Sequence, residues 1–545
     1  MHISAINIQN YKCFKGRFHL LLNNGLNILV GDNEAGKSTI LEAIHLVLTG
    51  VLSGKYVKHE LTQHLFNNEV IDDYLQSLRG GTPIQPPEIV IEAYLSGPNL
   101  AAFDGDDNLD KVSACGLSLK IAFDPIYQLE YEAFVATGNV NSLPVEYYDV
   151  TWRSFARDGV TGRSIPIKSA FIDASSTRFA NGSDIYISRL IKEFLDPDDV
   201  VKVSQAHRKM RESFMEDFAV TAVNSKINSA INISNKTVTL SVDMSSKNAW
   251  EGSLNTYLDD VPFHQIGKGE QCMVKTKLAL SNKKTLEANV LLLEEPENHL
   301  SHTKLCQLIG EIKKSNAKKQ IVISTHSSYV ANKLGLGSLI LLNRSQEFRF
   351  NDLTQETKSF FERLAGYDTL RLILCEKAIL VEGDSDELIV QRAYMKLNDG
   401  RIPIEAAVDV ISVGMSFLRF LEIAVKIGKP VAVVTDNDGD LDAVRKKYEQ
   451  YIGANSKPNI RVCYDATVHT GNSIVDGVTH NYNTLEPSLL RANNLARLNT
   501  VLKTNHESDE KLLAYMHKNK TECAMRIFNS QDEIDYPEYI LEAIQ

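Results

Sequence analysis

The sequence predicts an α/β protein with two sites, each at the carboxyl ends of parallel strands. One apolar run, Leu26 to Val30, leads directly into a glycine-containing loop at 31–39. Two further apolar runs, at 379–381 and 431–434, stop abruptly at carboxylates. A parallel sheet buries such Val, Ile and Leu runs on both faces and presents the residues beyond their carboxyl ends to ligands. We therefore expect one site in each half of the chain.

The loop at 31–39 reads Gly-Asp-Asn-Glu-Ala-Gly-Lys-Ser-Thr, a full match to the phosphate-binding pattern G-x-x-x-x-G-K-[ST]. A segment with helical periodicity begins at the end of this loop, so the N-terminus of the helix would face the phosphates of a nucleotide. Lys37 would meet the terminal phosphates of ATP, and the Ser38 hydroxyl would bind Mg²⁺. The residues predicted to hold nucleotide here are Gly31, Asn33, Glu34, Gly36, Lys37, Ser38 and Thr39.

Later segments add the other parts of an ATPase. The apolar run 290–293 ends in Glu294 and Glu295, in the position of a Walker B element. Glu294 would hold the Mg²⁺ shell, and Glu295 would polarise the attacking water. The next apolar run ends at His326.

Three features resemble ABC-type ATPases. The segment Ile-Gly-Lys-Gly-Glu-Gln lies where that class carries its glycine-rich signature, so Gly267 and Gly269 are expected to bind nucleotide. His326 stands in the place of the switch histidine. The opening strand is similar to that of SMC- and RecF-like ATPases, with Lys12 where those proteins often have Arg. The resemblance implies an ABC/SMC-like ATPase that binds ATP between two subunits.

The nucleotide-sensing Gln of ABC proteins has two candidates here. Gln63 and Gln85 both lie at suitable distances after the phosphate loop. The sequence does not choose between them.

Two acidic turns form the second predicted site. Glu382 and Asp386 surround the turn after the run 379–381, and Asp436 and Asp438 follow the other run. Four carboxylates at one sheet edge would repel one another without a cation, so they predict a Mg²⁺ or Mn²⁺ site. This ordered pair resembles the Toprim domain, in which a Glu-Gly-x-x-Asp turn precedes Asp-x-Asp.

An ABC-type ATPase followed by Toprim resembles the OLD (overcoming lysogenisation defect) family of nucleases. The resemblance implies a metal-dependent DNA endonuclease with ATP and Mg²⁺ or Mn²⁺ as cofactors. It also implies Glu486 as a further metal ligand and Lys520 as the active-site lysine, with Lys518 as its competitor. The implied catalytic residues are Glu382, Asp386, Asp436, Asp438, Glu486, Lys520 and Glu295. The implied metal ligands are the same Toprim carboxylates together with Ser38 and Glu294.

These motifs divide the chain into five parts. The expected order is a first ATPase lobe at 1–152, a largely helical insertion at 153–250, a second ATPase lobe at 251–345, a linker at 346–375, and a Toprim nuclease domain with a helical C-terminal extension at 376–545. In the OLD family the inserted helices mediate dimerisation, which implies a homodimer or higher homo-oligomer.

Composition limits the compartment and the partners. The chain is 43% hydrophobic and 23% charged, and no apolar run approaches the roughly 18 residues that a membrane helix needs. Seven scattered cysteines without a C-x-x-C pair favour a reducing cytoplasm. The formal charge of −11 argues against a generic basic nucleic-acid binder but leaves DNA binding through a local patch open.

Three other functions remain open. The first is a RecF/SMC-like DNA-repair ATPase clamp with a non-cutting Toprim, against which the intact carboxylates argue. The second is a topoisomerase- or primase-like enzyme, which would need a catalytic Tyr in a separate DNA-binding domain or a zinc module. The third is an effector in antiphage defence, controlled by a partner such as a helicase or a reverse transcriptase with its DNA product.

Overall fold

The computed structural model describes residues 1–31, 34–52, 54–173, 179–180, 183–184, 191, 195–230, 240, 256–315, 318–326, 336–343, 346–349, 353–363, 371–373, 375–475 and 478–545. The chain divides into two units. The first comprises 1–330 and 338–347, and the second comprises 331–337 and 348–545. Among the described helices, none combines the length and the apolarity that crossing a membrane requires.

The first unit contains strands β1 to β17, the first two residues of β18, and helices α1 to α8. Its strands are β1 His2–Gln9, β2 Arg17–Leu21, β3 Leu26–Gly31, β4 Val51–Leu52, β5 Lys55–Tyr56, β6 Ile89–Ser96, β7 Asp104–Gly105, β8 Ala114–Phe123, β9 Tyr148–Ser154, β10 Ser169–Asp173, β11 Phe179–Ala180, β12 Ser183–Asp184, β13 Tyr257–Leu258, β14 Val261–Pro262, β15 Val290–Glu294, β16 Gln320–Thr325, β17 Leu339–Asn343 and β18 Gln346–Arg349. Its helices are α1 Lys37–Thr49, α2 Asn68–Arg79, α3 Gln128–Ala136, α4 Pro197–Glu216, α5 Phe218–Ala230, α6 Lys268–Ser281, α7 Lys283–Glu287 and α8 His302–Ser315.

Two large sheets build this unit. The antiparallel sheet has the order β2-β1-β6-β8-β7, with β9 on β8. The other sheet has the order β10-β15-β16-β3-β17-β18, and the pairs from β10 to β17 are parallel. Helix α1 contacts strands of both sheets, and its apolar side chains are buried between them. The parallel sheet thus places the ends of β3, β15 and β16 side by side.

Strand β10 lies beyond the expected end of the first ATPase lobe at 152, inside the expected insertion at 153–250. Strand β10 pairs with β15 from Ser169 opposite Val290 to Asp173 opposite Glu294, so residues 169–173 belong to the parallel sheet that contains β3. The strand was missed because it lies at the sheet edge and is mostly half-buried, which leaves no continuous apolar run. Within the expected insertion, the described stretches of α4 and α5 are helical.

The second unit contains a smaller sheet and many helices. Its strands are β19 Lys377–Val381, β20 Val408–Ser412, β21 Val431–Val434, β22 Ile460–Cys463, β23 Asn472–Val475 and β24 Val478–Asn481. Its helices are α9 Gln355–Arg363, α10 Asp384–Leu397, α11 Phe417–Ile427, α12 Leu441–Lys447, α13 Leu485–Ala492, α14 Leu495–Leu502, α15 Asp509–Lys518, α16 Lys520–Asn529 and α17 Glu538–Ile544.

The sheet of the second unit is parallel and has the order β20-β19-β21-β22. Strand β21 is buried along its whole length, and β19 is buried apart from its first residue, as the two apolar runs predicted. Because Leu380 of β19 lies opposite Val433 of β21, the turns that follow the two strands meet at one edge of the sheet. Helices of the C-terminal extension pack against this sheet in a common core.

The expected linker at 346–375 is in part built into the second unit. Glu422 on α11 accepts a hydrogen bond from Thr354 N–H at 2.6 Å, just before α9 begins. The rings of Phe361 on α9 and Phe420 on α11 pack edge to face, with centroids 5.2 Å apart. The sequence pattern did not show this anchorage because the partners lie far along the chain.

Candidate nucleotide site and candidate metal site

The phosphate loop connects β3 to α1. Gly36 has a left-handed φ of 88°, and its carbonyl accepts the first helical hydrogen bond from Ile40 N–H at 2.9 Å. Lys37 is buried, and its Nζ donates to Gly31 O at 2.9 Å. This bond closes the loop on itself, so the lysine ammonium lies where the motif would bring phosphate oxygens.

A cavity of about 520 Å³ opens beside this loop, a size typical of small-ligand sites. The predicted residues in its lining are Glu34, Gly36, Lys37, Ser38, Thr39 and His326. The lining also contains Lys12, Cys13, His64, Phe66 and Asn68. The predicted Asn33 lies outside the described residues.

Neither candidate for the sensing Gln belongs to the described lining of this cavity. Gln63 Oε1 accepts a hydrogen bond from Leu143 N–H at 3.3 Å, and Gln85 lies in an exposed loop. His64, the neighbour of Gln63, is the side chain that reaches the cavity.

Gly36→Ala is expected to destabilise the fold and weaken nucleotide binding. A Cβ at this position would lie 2.6 Å from the Phe14 ring and 2.9 Å from Cys13 Sγ, in a backbone conformation that disfavours side chains. Together these effects should lower the free energy of unfolding by roughly 1–3 kcal/mol. Thermal unfolding checks the change against Gly25→Ala, whose Cβ would meet no atom within 4 Å. Equal stability of the two variants would contradict the close packing of Gly36.

Glu294 connects the end of β15 to the phosphate loop. The Ser38 hydroxyl lies near its carboxylate. Burial raises the pKa of Glu294, and the nearby carboxylates of Asp173, Glu295 and Glu42 raise it further. Hydroxyl and carboxylate oxygens are the donors that Mg²⁺ prefers, and a cation would relieve the repulsion among these carboxylates. The donor set around Ser38 and Glu294 therefore fits a nucleotide-bound Mg²⁺.

Glu295 and His326 are in direct contact. Nε2 of His326 lies 3.0 Å from Oε1 of Glu295, and Asn298 Nδ2 donates to the other carboxylate oxygen at 2.8 Å. The N–H of Glu295 donates to Ser324 O at 3.0 Å, so the backbone after β15 is tied to β16. The carboxylate expected to polarise water and the expected switch histidine thus meet at the ends of neighbouring strands.

The glycine-rich signature begins helix α6. Gly267 is the residue before the first turn of α6. Gly269 has no room for a side chain, because its Cβ would lie 2.3 Å from His299 O. Among the described residues that line the nucleotide cavity, none comes from 266–271. Within one chain, Gly267 and Gly269 are therefore not part of the cavity that the phosphate loop forms.

In the second unit, the turn after β19 carries Glu382 and Asp386. Glu382 is exposed, whereas Asp386 is half-buried in the first turn of α10. Oδ2 of Asp386 accepts a hydrogen bond from Gly383 N–H at 3.1 Å. Burial raises the pKa of Asp386 to about 6, and the carboxylates of Glu382 and Glu486 contribute to the rise. These three expected ligands therefore share one electrostatic environment.

Asp436 lies at the centre of the acidic group. Burial raises its pKa well above the ordinary value, and four other carboxylates raise it further. Those four are Asp386, Glu486, Asp438 and Glu382. Oδ2 of Asp436 accepts from Leu485 N–H at 3.2 Å, and Oδ1 accepts from the Tyr539 hydroxyl at 3.4 Å. The other four expected Toprim ligands thus lie near enough to Asp436 to affect its pKa.

Glu486 is buried and paired with a lysine. Its Oε1 lies 3.2 Å from Lys520 Nζ, and its Oε2 accepts from Thr484 Oγ1 at 3.3 Å. His517 Nδ1 lies 4.0 Å from the same Oε2. Lys520 starts α16 with a side chain that is half exposed, so its ammonium reaches the acidic group from the solvent side. Lys520, one of the two lysines that the sequence left open, therefore contacts an expected ligand.

Two asparagines that sequence analysis missed support the turn after β21. Asn437 is buried, and its Nδ2 donates to Asp465 O at 2.7 Å and to Thr467 O at 2.9 Å. Asn481 Nδ2 donates to Asp438 Oδ1 at 3.1 Å. The position of Asn437 between two aspartates was a signal in the sequence, whereas nothing local indicated Asn481.

The acidic group consists of oxygen donors suited to Mg²⁺ or Mn²⁺. In the part of the chain that the structure describes, no three His, Cys, Asp or Glu side chains are already arranged to hold a metal ion. Instead, protein donors hold the carboxylates, namely Gly383 N–H, Leu485 N–H and Lys520 Nζ. The fit to a divalent cation thus lies in the oxygen chemistry of these residues and in their mutual repulsion, and not in a preformed geometry.

Three family models match the chain. An AAA domain model matches residues 5–92, and a second AAA domain model matches residues 175–332. The TOPRIM domain model of the overcoming lysogenization defect protein-like family matches residues 373–438.

Two curated relatives match shorter parts of the chain. The structural maintenance of chromosomes protein 3 homolog of Plasmodium falciparum is 28% identical over 138 residues, which is 24% of this chain and 11% of that protein. The DNA replication and repair protein RecF of Xanthomonas axonopodis pv. citri is 28% identical over 126 residues, which is 23% of this chain and 33% of that protein. The chain thus spans only a minor part of either relative.

Solved SMC heads also match. The SMC head bound to the C-terminal winged-helix domain of ScpA has a TM-score of 0.34 and 15% identity, and covers 64% of this chain and 99% of that chain. The SMC head domain from Thermotoga maritima has a TM-score of 0.28 and 13% identity, and covers 63% of this chain and 94% of that chain.

The expected fold class is confirmed by the order of the family models and by the two α/β units. ATPase sequence matches precede the Toprim match, and each coincides with the unit that carries the corresponding motif. The AAA domain models thus match the first part of the chain and the OLD-like TOPRIM model matches a later part, the order expected for an ABC-type ATPase fused to Toprim as in OLD nucleases.

Proposed function

We propose that this chain is an ATP-binding, metal-dependent DNA endonuclease. The observation that supports the proposal most is the acidic group at one edge of a parallel sheet, with a lysine in contact with it. The group consists of Glu382, Asp386, Asp436, Asp438, Glu486 and Lys520. Such a set of oxygen donors next to a lysine ammonium is suited to phosphodiester cleavage with two divalent metal ions.

The chain's own groups would have separate tasks in cleavage. Bound Mg²⁺ or Mn²⁺ would supply the orientation of water and the neutralisation of the leaving oxygen. Asp386 and Asp436 have raised pKa values, so they must release any bound proton before they can hold a cation. Lys520 would stabilise the negative charge that develops on the phosphate, and Glu486 fixes the position of Lys520.

At the nucleotide site, ATP would bind in the cavity beside the phosphate loop. Lys37 would exchange its bond to Gly31 O for phosphate oxygens. Ser38 and Glu294 would hold the nucleotide-bound Mg²⁺. Glu295 would polarise the attacking water, supported by His326 at 3.0 Å.

The position of the signature supports a homodimer or a higher homo-oligomer. Gly267 and Gly269 are not among the described residues that line the cavity of their own chain. A second copy of the chain would bring them to the nucleotide. The expected dimerisation role of the insertion at 153–250 is consistent with its described helices α4 and α5.

One chain carries both sites. We expect ATP binding or hydrolysis to gate DNA cleavage. The resemblance to OLD nucleases supports a role in antiphage defence or DNA metabolism in the cytoplasm. A partner, such as a helicase or a reverse transcriptase with its DNA product, would then control the nuclease.

The test is cleavage of supercoiled plasmid by the full chain. We expect nicked or linear product in Mg²⁺ or Mn²⁺ and none in a chelator, because the carboxylates cannot position water without a cation. A panel of substrates (plasmid, linear duplex, single-stranded and nicked DNA) tests which form of DNA the nuclease prefers. Cleavage that persists in the chelator would contradict the proposal.

One observation favours a second candidate, a DNA-repair ATPase clamp with a non-cutting Toprim. The chain is 28% identical to the RecF protein of Xanthomonas axonopodis pv. citri over 126 residues. A clamp would bind DNA in an ATP-dependent way. It would give no metal-dependent product in the cleavage assay.

A further inference from the structure

We propose that Glu297 is a positioning residue for His326 during ATP hydrolysis, an inference that rests on the ATPase part of the proposed function. One carboxylate oxygen of Glu297, Oε1, accepts two hydrogen bonds. The Thr325 hydroxyl donates at 2.5 Å, and the backbone N–H of His326 donates at 2.9 Å. A side chain from the turn after β15 thus holds the backbone at the end of β16.

The turn that carries Glu297 is tightly built. Asn298 N–H donates to Glu295 O at 3.1 Å, and Leu300 N–H donates to Glu297 O at 2.9 Å. Pro296 further restricts the backbone between the two glutamates. The carboxylates of Glu295 and Glu297 are therefore presented from one rigid turn.

The turn consequently holds both the backbone and the imidazole ring of His326. Glu297 holds its backbone N–H, and Glu295 meets its ring Nε2 at 3.0 Å. The ring cannot leave Glu295 through a movement of the backbone unless the bond to Glu297 breaks. Hydrogen bonds to an ionised acceptor are stronger than neutral ones, which suits a side chain that must fix a neighbouring segment.

Glu297 itself is not among the described residues that line the nucleotide cavity, whereas His326 is. Loss of the Glu297 carboxylate should therefore slow the chemical step of ATP hydrolysis and leave nucleotide affinity nearly unchanged. A residue that only braced the fold would instead lower stability without a selective effect on the rate constant.

The experiment measures single-turnover ATP hydrolysis with excess full-length protein, and nucleotide affinity with a fluorescent ATP analogue. Glu297→Ala should lower the rate constant on the order of 10–100-fold, as for residues that orient an active group, with affinity changed less than about 3-fold. Glu297→Gln keeps an oxygen that accepts both hydrogen bonds, so it should retain most of the rate. Thr325→Val, which removes one of the two donors, should give an intermediate loss.

A double-mutant cycle gives the sharpest readout. Because Glu297 acts through His326, the variant Glu297→Ala/His326→Ala should be no slower than His326→Ala alone. The matched control is Glu311→Ala, a carboxylate that is 53% exposed and paired with Lys277, which should hydrolyse ATP at the wild-type rate. Glu297→Gln and Thr325→Val keep the test valid if the alanine variant does not fold.

The outcomes separate the inference from the proposed function. If His326→Ala is slow but Glu297→Ala hydrolyses ATP normally, or if the two losses multiply in the double variant, the positioning role is wrong. If His326→Ala itself hydrolyses ATP at the wild-type rate, the assignment of His326 is overturned, and the role of Glu297 with it.

Discussion

Asp436→Ala is expected to abolish metal-dependent DNA cleavage while leaving ATP binding intact. Asp436 lies at the centre of the five carboxylates, and its pKa responds to all four others. Its loss removes a ligand from the middle of the group, so the cleavage rate should fall by more than the roughly 10–100-fold that loss of a supporting residue costs. Nicking of supercoiled plasmid in Mn²⁺ measures the change.

Two variants separate the loss of a ligand from damage to the fold. Asp436→Asn removes the charge but keeps an oxygen that can accept from Leu485 N–H, so it should fold normally and fail to cleave. Asp442→Ala, on α12 of the same unit, changes a carboxylate that is 95% exposed and should cleave like the wild type. Wild-type cleavage by Asp436→Asn would show that this carboxylate is not a ligand.

Lys37→Ala is expected to abolish ATP binding. The Lys37 ammonium closes the phosphate loop through Gly31 O and is the charge that meets the terminal phosphates. Removal of a buried charge-assisted contact to phosphate should weaken ATP affinity by on the order of 100-fold or more. Equilibrium binding of a fluorescent ATP analogue measures the loss.

The control for this variant is a lysine of the same unit outside the cavity. Lys58 is 66% exposed and paired with Asp149, so Lys58→Ala should bind ATP like the wild type. Lys37→Met keeps the apolar stem of the buried side chain and should match Lys37→Ala in binding. Unchanged ATP affinity in both Lys37 variants would overturn the phosphate-loop assignment.

Local sequence patterns predicted much of both sites because each motif combines a buried strand with the residues directly after it. The loop at Gly31 follows β3, Glu294 ends β15, and Asp436 follows β21. Such motifs need no knowledge of distant parts of the chain. Parallel pairing then brings the strand ends together, which the sequence predicted from the two apolar runs of the second site.

The residues that the sequence patterns did not indicate reach the two sites through contacts between distant parts of the chain. Asp173 reaches Glu294 only through the pairing of β10 with β15, and β10 lacks a continuous apolar run. Tyr539 donates to Asp436 across 103 positions of sequence. Glu297 lies two residues after Glu295, but its partner Thr325 is 28 residues away, so its role could be inferred only from the structure.

In the proposed function, the nucleotide site controls the nuclease site of the same chain. The most direct measurement is the initial rate of plasmid nicking by the wild type and by Lys37→Ala, in Mn²⁺, across a titration of ATP. We expect ATP to change the wild-type rate in a saturable way and to leave the rate of Lys37→Ala constant. A wild-type rate that does not depend on ATP, or an equal ATP response in both proteins, would contradict the account.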